Sequence, residues 1–176
     1  GRVEYQSRLS TALVDQAELA RVQPAAFVSG RPDEGAVVAA ARNAGAALAT
    51  GDAIMFMDCD CLPAADSLLE DHARALRTGN VASIGPVVGT GSGFWHAYQA
   101  RSSRRREEMF RAGDVFAGST QNMAMLRSAF VEIGGFDVAF AGYGFEDRDI
   151  LMRLSGIGNV AWVCSGVRHM DELHLA

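Results

Sequence analysis

Lysine is absent from the sequence, and all sixteen basic residues are arginine. Chemistry that needs a primary amine, such as a Schiff base or the lysine of the usual phosphate-binding loop, is therefore excluded. Cysteine is scarce at three residues, an odd number, with Cys59 and Cys61 at an i, i+2 spacing that an extended strand points to opposite faces. A disulfide framework is not expected. No apolar run approaches the roughly 20 residues that cross a bilayer, and no secretory signal pattern is visible, so the expected location is the cytoplasm, with peripheral association at a membrane left open. A net charge of −5 gives no field that would draw in nucleic acid. What remains is ordinary globular composition, 49% apolar against 21% charged, and residues 1–176 read as a single domain with a proper core.

Hydrophobic spacing organises the chain. Residues 5–20 place Leu9, Leu13 and Val14 among charges and predict an amphipathic helix. A strand is expected over 25–30, a turn at "RPDEG", an alanine-rich helix from Glu34 closed by Gly51, and a strand over 53–58. Pro63 is expected to open the next helix, where its missing N–H costs nothing, with Gly79 as the stop. Further on come a strand over 81–88, a polar helix over 98–110, a strand-like run over 115–126, a helix over 127–135, an acidic helix from Glu146, a strand over 159–166 and a tail "VRHMDELH". This alternation predicts an α/β fold with a mainly parallel central sheet flanked by helices, in which ligands gather beyond the carboxyl ends of strands. A helix almost at residue 1 leaves no place for the usual first strand, so the chain is expected to begin inside a domain.

Five apolar residues, "AIMFM", run straight into Asp58 and Asp60. Two like charges about 5 Å apart repel by about 3 kcal/mol at an effective dielectric near 20, which a divalent cation would relieve. In an extended segment the two carboxylates point to one face and can converge on Mn²⁺ or Mg²⁺, and Mg²⁺ is usually held by one or two carboxylates plus substrate phosphates. Capping of the following helix is the equally open alternative. A second acidic group, Glu146, Asp147 and Asp149, follows Gly142 and Gly144, which allow close approach to a ligand. Acids at a helix start are also simple dipole partners. The two groups together are what a metal-assisted group transfer needs.

The blocks "AARNAGAALATGDAIMFMDCDCLP", "GSTQNMAMLRSAFVEIGGFDVAFAGYGFEDRDILMRL" and "VRH" carry a resemblance. The sequence resembles GT-A-fold inverting glycosyltransferases of family 2, and its second block is similar to the carboxyl-terminal half of β-1,4-galactosyltransferases and chondroitin polymerases. The resemblance implies a nucleotide-diphosphate sugar donor, most often a UDP-sugar, held through Mn²⁺ or Mg²⁺ by Asp60, with Asp58 on the ribose or the ion's water shell. It implies Asp147 as the general base that takes the proton of a carbohydrate or other acceptor hydroxyl, and Glu146 as the group that orients the acceptor. His169 would complete the metal site, with His174 as substitute. Arg42 and Asn43 would lie near the donor, Gly118 and Asn122 would line the donor-sugar pocket, and Gly144 would border the donor.

The chain departs from that family's pattern where a base-binding Asp-Asp-Gly-Ser is usual, since "VSGRPDEG" stands there with Asp33 or Glu34 as substitutes. A fragment, or a differently built nucleotide pocket, is expected. Two other functions stay open: nucleotidyl transfer, with Arg31 against a triphosphate, and a non-catalytic relic that binds nucleotide or a partner protein. "GTGSGF" lacks the third glycine of a dinucleotide turn, where Phe94 stands. Cysteines 59, 61 and 164 with His169 fit no common zinc spacing, and buried reduced thiols are expected. The arginines at 101, 104, 105, 106 and 111 form a solvated helix face or a contact for an anionic acceptor or membrane surface. Trp95, His96 and Tyr98 could stack on a sugar ring or pack in the core.

Overall fold

Residues along the strands alternate between two apolar environments, and that alternation sets the layers of the molecule. The computed structural model describes residues 34–89, 92–139 and 145–170. The helix expected over 5–20, the strand over 25–30, Arg31, Asp33, Gly142, Gly144 and His174 lie outside the described residues. Seven strands are described: β1 (Ala53–Phe56), β2 (Cys61–Pro63), β3 (Ala82–Ile84), β4 (Val87–Gly89), β5 (Met123–Leu126), β6 (Val160–Trp162) and β7 (Val167–His169). The helices are α1 (Glu34–Leu48), α2 (Leu68–Arg77), α3 (Phe94–Arg111), α4 (Arg127–Glu132) and α5 (Glu146–Ile157). A four-stranded sheet has the order β1-β5-β3-β6 and a three-stranded sheet the order β2-β7-β4.

The α/β expectation holds, but the described part of the main sheet is mixed rather than mainly parallel. β5 is antiparallel to both β1 and β3, and β3 is parallel to β6. The reason is the route of the chain. After β3 it crosses through β4 and α3, then re-enters with Met123 opposite both Phe56 and Ile84, at the carboxyl ends of β1 and β3. Sequence periodicity reports a strand's faces and not its direction.

Ile54 and Phe56 of β1, Met123 and Met125 of β5, and Ala82 and Ile84 of β3 share one core with Ala39, Phe130, Phe136, Ile150, Leu151 and Leu154 from the helices and their loops. Met55 and Ala124 face the other way, into a second core with Leu68, Leu76, Val87 and Val167. Burying such a side chain contributes roughly 1.5–3 kcal/mol, so both sheet faces are held by apolar contact.

Four expected elements are corrected. Pro63 closes strand β2 instead of opening a helix, and α2 begins at Leu68. β2 is an edge strand, where a residue without an N–H is tolerated. The run over 81–88 is divided at Gly85–Pro86 into β3 and β4, and the run over 115–126 is two short helical turns, Val115–Ala117 and Thr120–Asn122, before β5. "VRH" is strand β7 and not tail. Gly79 does stop α2, with φ +94.

β1, β3 and β6 each hand the chain on to the second sheet, and one buried amide ties two of these crossings. The Asn122 amide donates to the carbonyls of Pro86 at 2.9 Å and Ser165 at 3.0 Å, which fixes its Oδ1 toward His72 Nε2 at 2.9 Å. His72 Nε2 is thereby the protonated nitrogen, and Nδ1 accepts from the Ser83 hydroxyl at 2.8 Å. Burial holds the His72 pKa below its ordinary 6.5. Space is tight, since a Cβ on Gly85 would lie 2.5 Å from Asn122 Nδ2 and 2.8 Å from the Ser165 carbonyl. Asn122→Ala leaves the His72 N–H and the Ser165 carbonyl without the amide, while the Pro86 carbonyl keeps the Val167 N–H at 3.1 Å, so it is expected to lower folding stability by about 2–4 kcal/mol in a urea titration. An unchanged midpoint would show that water replaces the amide.

Candidate active site

Helix α1 carries Ala39 and Ala46 on its buried face, and these small side chains let the helix approach the sheet closely. Arg42 lies on the same face, 4% exposed. Its Nη2 donates to Asp58 Oδ1 at 3.3 Å and its Nη1 to Glu146 Oε1 at 3.3 Å, with Asp147 Oδ1 at 3.6 Å. The guanidinium also stands 5.3 Å from the centre of the Phe136 ring. One cation thus gathers carboxylates from the end of β1 and from the start of α5. The two acidic groups singled out from the sequence form one site.

The segment after Phe56 is not extended. The Cys61 N–H donates to the Asp58 carbonyl at 3.0 Å, closing a tight turn, so Asp58 and Asp60 do not share a strand face as expected. Asp58 turns to Arg42. Asp60 turns to β7, where its Oδ2 lies 3.4 Å from His169 Nε2. Backbone pairing fixes that meeting: Cys61 stands opposite His169, and the Met170 N–H donates to the Asp60 carbonyl at 2.8 Å.

A carboxylate oxygen and an imidazole nitrogen suit Mn²⁺, and Mg²⁺ accepts carboxylates with substrate phosphates. Among the described residues no group of three His, Cys, Asp or Glu side chains could hold an ion unaided. Asp60 and His169 are the side chains that could hold such an ion, with the rest of its coordination left to other oxygens. The cysteines are part of no group of three metal-ligating side chains among the described residues, and burial and the neighbouring aspartates push the Cys61 thiol well above its ordinary range.

Asp147 is held by residues that the sequence did not single out. Its Oδ1 accepts from the Thr120 hydroxyl at 2.6 Å, and its Oδ2 accepts from the Ser119 hydroxyl at 3.2 Å and the Thr120 N–H at 3.3 Å. Both residues sit where the chain enters β5 from the site edge. The available signal was a Ser-Thr pair at the head of an otherwise apolar strand, a common local hydrogen-bonding motif. Glu146 is buried at 4% and faces Arg42. Asp149 pairs with Arg153, which also donates to the carbonyls of Ile133 at 2.8 Å and Gly135 at 2.6 Å, so this acid fastens α5 to the glycine turn.

Asn43 and Gly118, expected near the donor, also make contacts within the frame. Asn43 donates to the Phe136 carbonyl and accepts from its N–H, both at 2.8 Å, holding the ring that lies against Arg42. Gly135 has φ +75, and a Cβ there would lie 2.7 Å from Asn43 Oδ1, so this turn requires glycine. At Gly118 a Cβ would come within 2.8 Å of the Ile84 side chain, which gives this glycine a packing role.

The glycosyl transferase family 2 model matches residues 31–134, a stretch that includes Arg42, Asp58, Asp60 and Gly118. A second family model, described as the N-terminal domain of galactosyltransferase, matches residues 111–163, which include Ser119, Thr120, Glu146 and Asp147. No curated protein matches the chain.

Burial raises the Asp58 pKa above its ordinary 3.8; Arg42 opposes the shift, while Asp147 and Asp60 add to it. A raised carboxylate favours folding fully only below its unfolded value, and that contribution is lost as pH rises through the folded one. Asp58→Asn is therefore expected to raise the unfolding midpoint of the metal-free protein at pH 7, by an amount that shrinks as pH falls toward 3.8. A lower midpoint for the variant at pH 7 would show that the ion pair with Arg42 outweighs the burial.

Proposed function

The chain belongs to glycosyl transferase family 2, whose model matches more than half of its residues, and from that premise we propose that it moves a sugar from a UDP-sugar to an acceptor hydroxyl with inversion at the anomeric carbon. The observation that carries this reading is the Arg42 guanidinium, within 3.3 Å of Asp58 and 3.6 Å of Asp147. It supports a donor end and a proton-accepting end in one cluster. One cation offsets only part of the charge of Asp58, Asp60, Glu146 and Asp147, so the cluster favours a positively charged guest beside the diphosphate.

In the proposed reaction the acceptor oxygen attacks the anomeric carbon from the face opposite the diphosphate. The bond from that carbon to the diphosphate oxygen breaks, and the acceptor proton passes to Asp147. A carboxylate offers about four lone-pair positions, and Ser119 and Thr120 occupy three of those on Asp147. The hydroxyls thereby orient the carboxylate and leave a position for the acceptor proton. Glu146, turned inward to Arg42, steadies the guanidinium that spans the two ends. A Mn²⁺ or Mg²⁺ ion held by Asp60 and His169 would supply charge neutralisation at the leaving diphosphate.

Asp147→Asn is expected to lower turnover by about 10²–10⁴ while leaving calorimetric UDP binding within about twofold. Asp60→Ala is expected to weaken Mn²⁺-dependent UDP binding by at least about tenfold. Both variants are read against hydrolysis of a set of UDP-sugars. Wild-type turnover by Asp147→Asn would remove the base assignment, and UDP binding indifferent to Mn²⁺ would remove the metal.

A further inference from the structure

Helix α3 carries an exposed aromatic and basic stripe near the strand that holds His169. Phe94 and Tyr98 at its start are 74% and 52% exposed, with near-parallel rings whose centroids are 6.3 Å apart. At 3.6 residues per turn, positions 94, 98, 101 and 105 fall within an arc of about 60° and span about 16 Å of helix. Arg101 and Arg105 continue the aromatic pair along this arc, and both are exposed. The ion pair of α3 is Arg111 with Glu107, and among the described residues neither Arg101 nor Arg105 has a carboxylate within ion-pair distance. Uncommitted cations on a chain of net charge −5 stand against its general field.

The place of this stripe is fixed by the second sheet. Gly89 at the end of β4 pairs in register with His169, and the His96 ring nitrogen Nδ1 donates to the Gly89 carbonyl at 3.2 Å. The aromatic end of the stripe is thereby anchored next to the strand that carries His169, and the arginines lead away from it. Flat apolar rings suit the C–H face of a sugar, and guanidinium forks suit carboxylates. A helix lying on a membrane needs a broad apolar face, whereas the exposed large apolar side chains described on α3 are Phe94 and Tyr98.

We propose that the Phe94–Tyr98–Arg101–Arg105 face of α3 binds the acceptor, and that this acceptor is an acidic saccharide. The assignment rests on the glycosyl-transfer reading for its role and on the stripe alone for its ligand. Hexagalacturonate and its methyl ester, titrated into the full chain by calorimetry, test the charge and the ring contacts separately. Arg101→Gln/Arg105→Gln is expected to weaken hexagalacturonate at least about tenfold and to leave the methyl ester unchanged, since the variant loses guanidinium–carboxylate hydrogen bonds that the ester cannot make. Phe94→Ser/Tyr98→Ser is expected to weaken both ligands. Unfolding midpoints equal to wild type check that these surface variants fold.

Wild-type affinity in both double variants overturns the proposal. So does stripe-dependent capture of phosphatidylglycerol vesicles by a chain that ignores hexagalacturonate. Hydrolysis of UDP-sugar by the wild-type chain, measured without saccharide, reports separately on the donor reading. Hydrolysis without stripe-dependent binding sinks the acceptor surface and spares the transferase, whereas binding without hydrolysis keeps the saccharide ligand but removes its role as acceptor together with the transferase.

Discussion

A buried guanidinium shared among three carboxylates is the constraint on which the site depends. Taking Arg42 and its partners out of water costs several kcal/mol per ion, and the cost is offset only while the geometry is kept. The partners come from two distant parts of the chain: Asp58 follows β1, while Glu146 and Asp147 open α5. The alanine face of α1 brings the arginine in, the Phe136 ring stands against it, and Asn43 on the same helix pins the backbone of Phe136. Loss of Arg42 alone would leave uncompensated acids inside the protein, so the residue specifies the arrangement as much as it stabilises it.

The fold divides its labour around this cation. The main sheet supplies Asp58 at the end of β1 and Ser119 and Thr120 at the start of β5. The second sheet supplies His169 and, through the β2–β7 register, fixes Asp60 beside it. Asn122 couples the two sheets by holding the carbonyls of Pro86 and Ser165, one at each of two crossings. An antiparallel β5 is what makes this possible, because a strand that starts at the functional edge brings its leading loop there.

Much of this was legible in the residues. Apolar alternation located β1, β5 and β6, the glycine after α2 marked its end, and the acids at 58, 60, 146 and 147 were visible as a constellation. Strand direction was not legible, because it depends on pairing partners distant in sequence. Pro63 misled because a proline fits a helix start and an edge strand equally well, and the edge exists only once the sheet is assembled. Arg42 on an alanine-rich helix looks like a solvated charge, and its burial follows from carboxylates that no local window contains. Ser119 and Thr120 escaped notice because a hydroxyl beside a strand has many ordinary uses, and their target lies in another element.

The ion pair between Arg42 and Glu146 closes across 104 residues. Contacts of such long sequence separation carry the entropy of closing a large loop and form late relative to local helices. A chain in which α5 is not yet made holds Arg42 and Asp58 without Glu146 and Asp147, so the carboxylate cluster around the guanidinium is complete only when the last third of the described fold is in place.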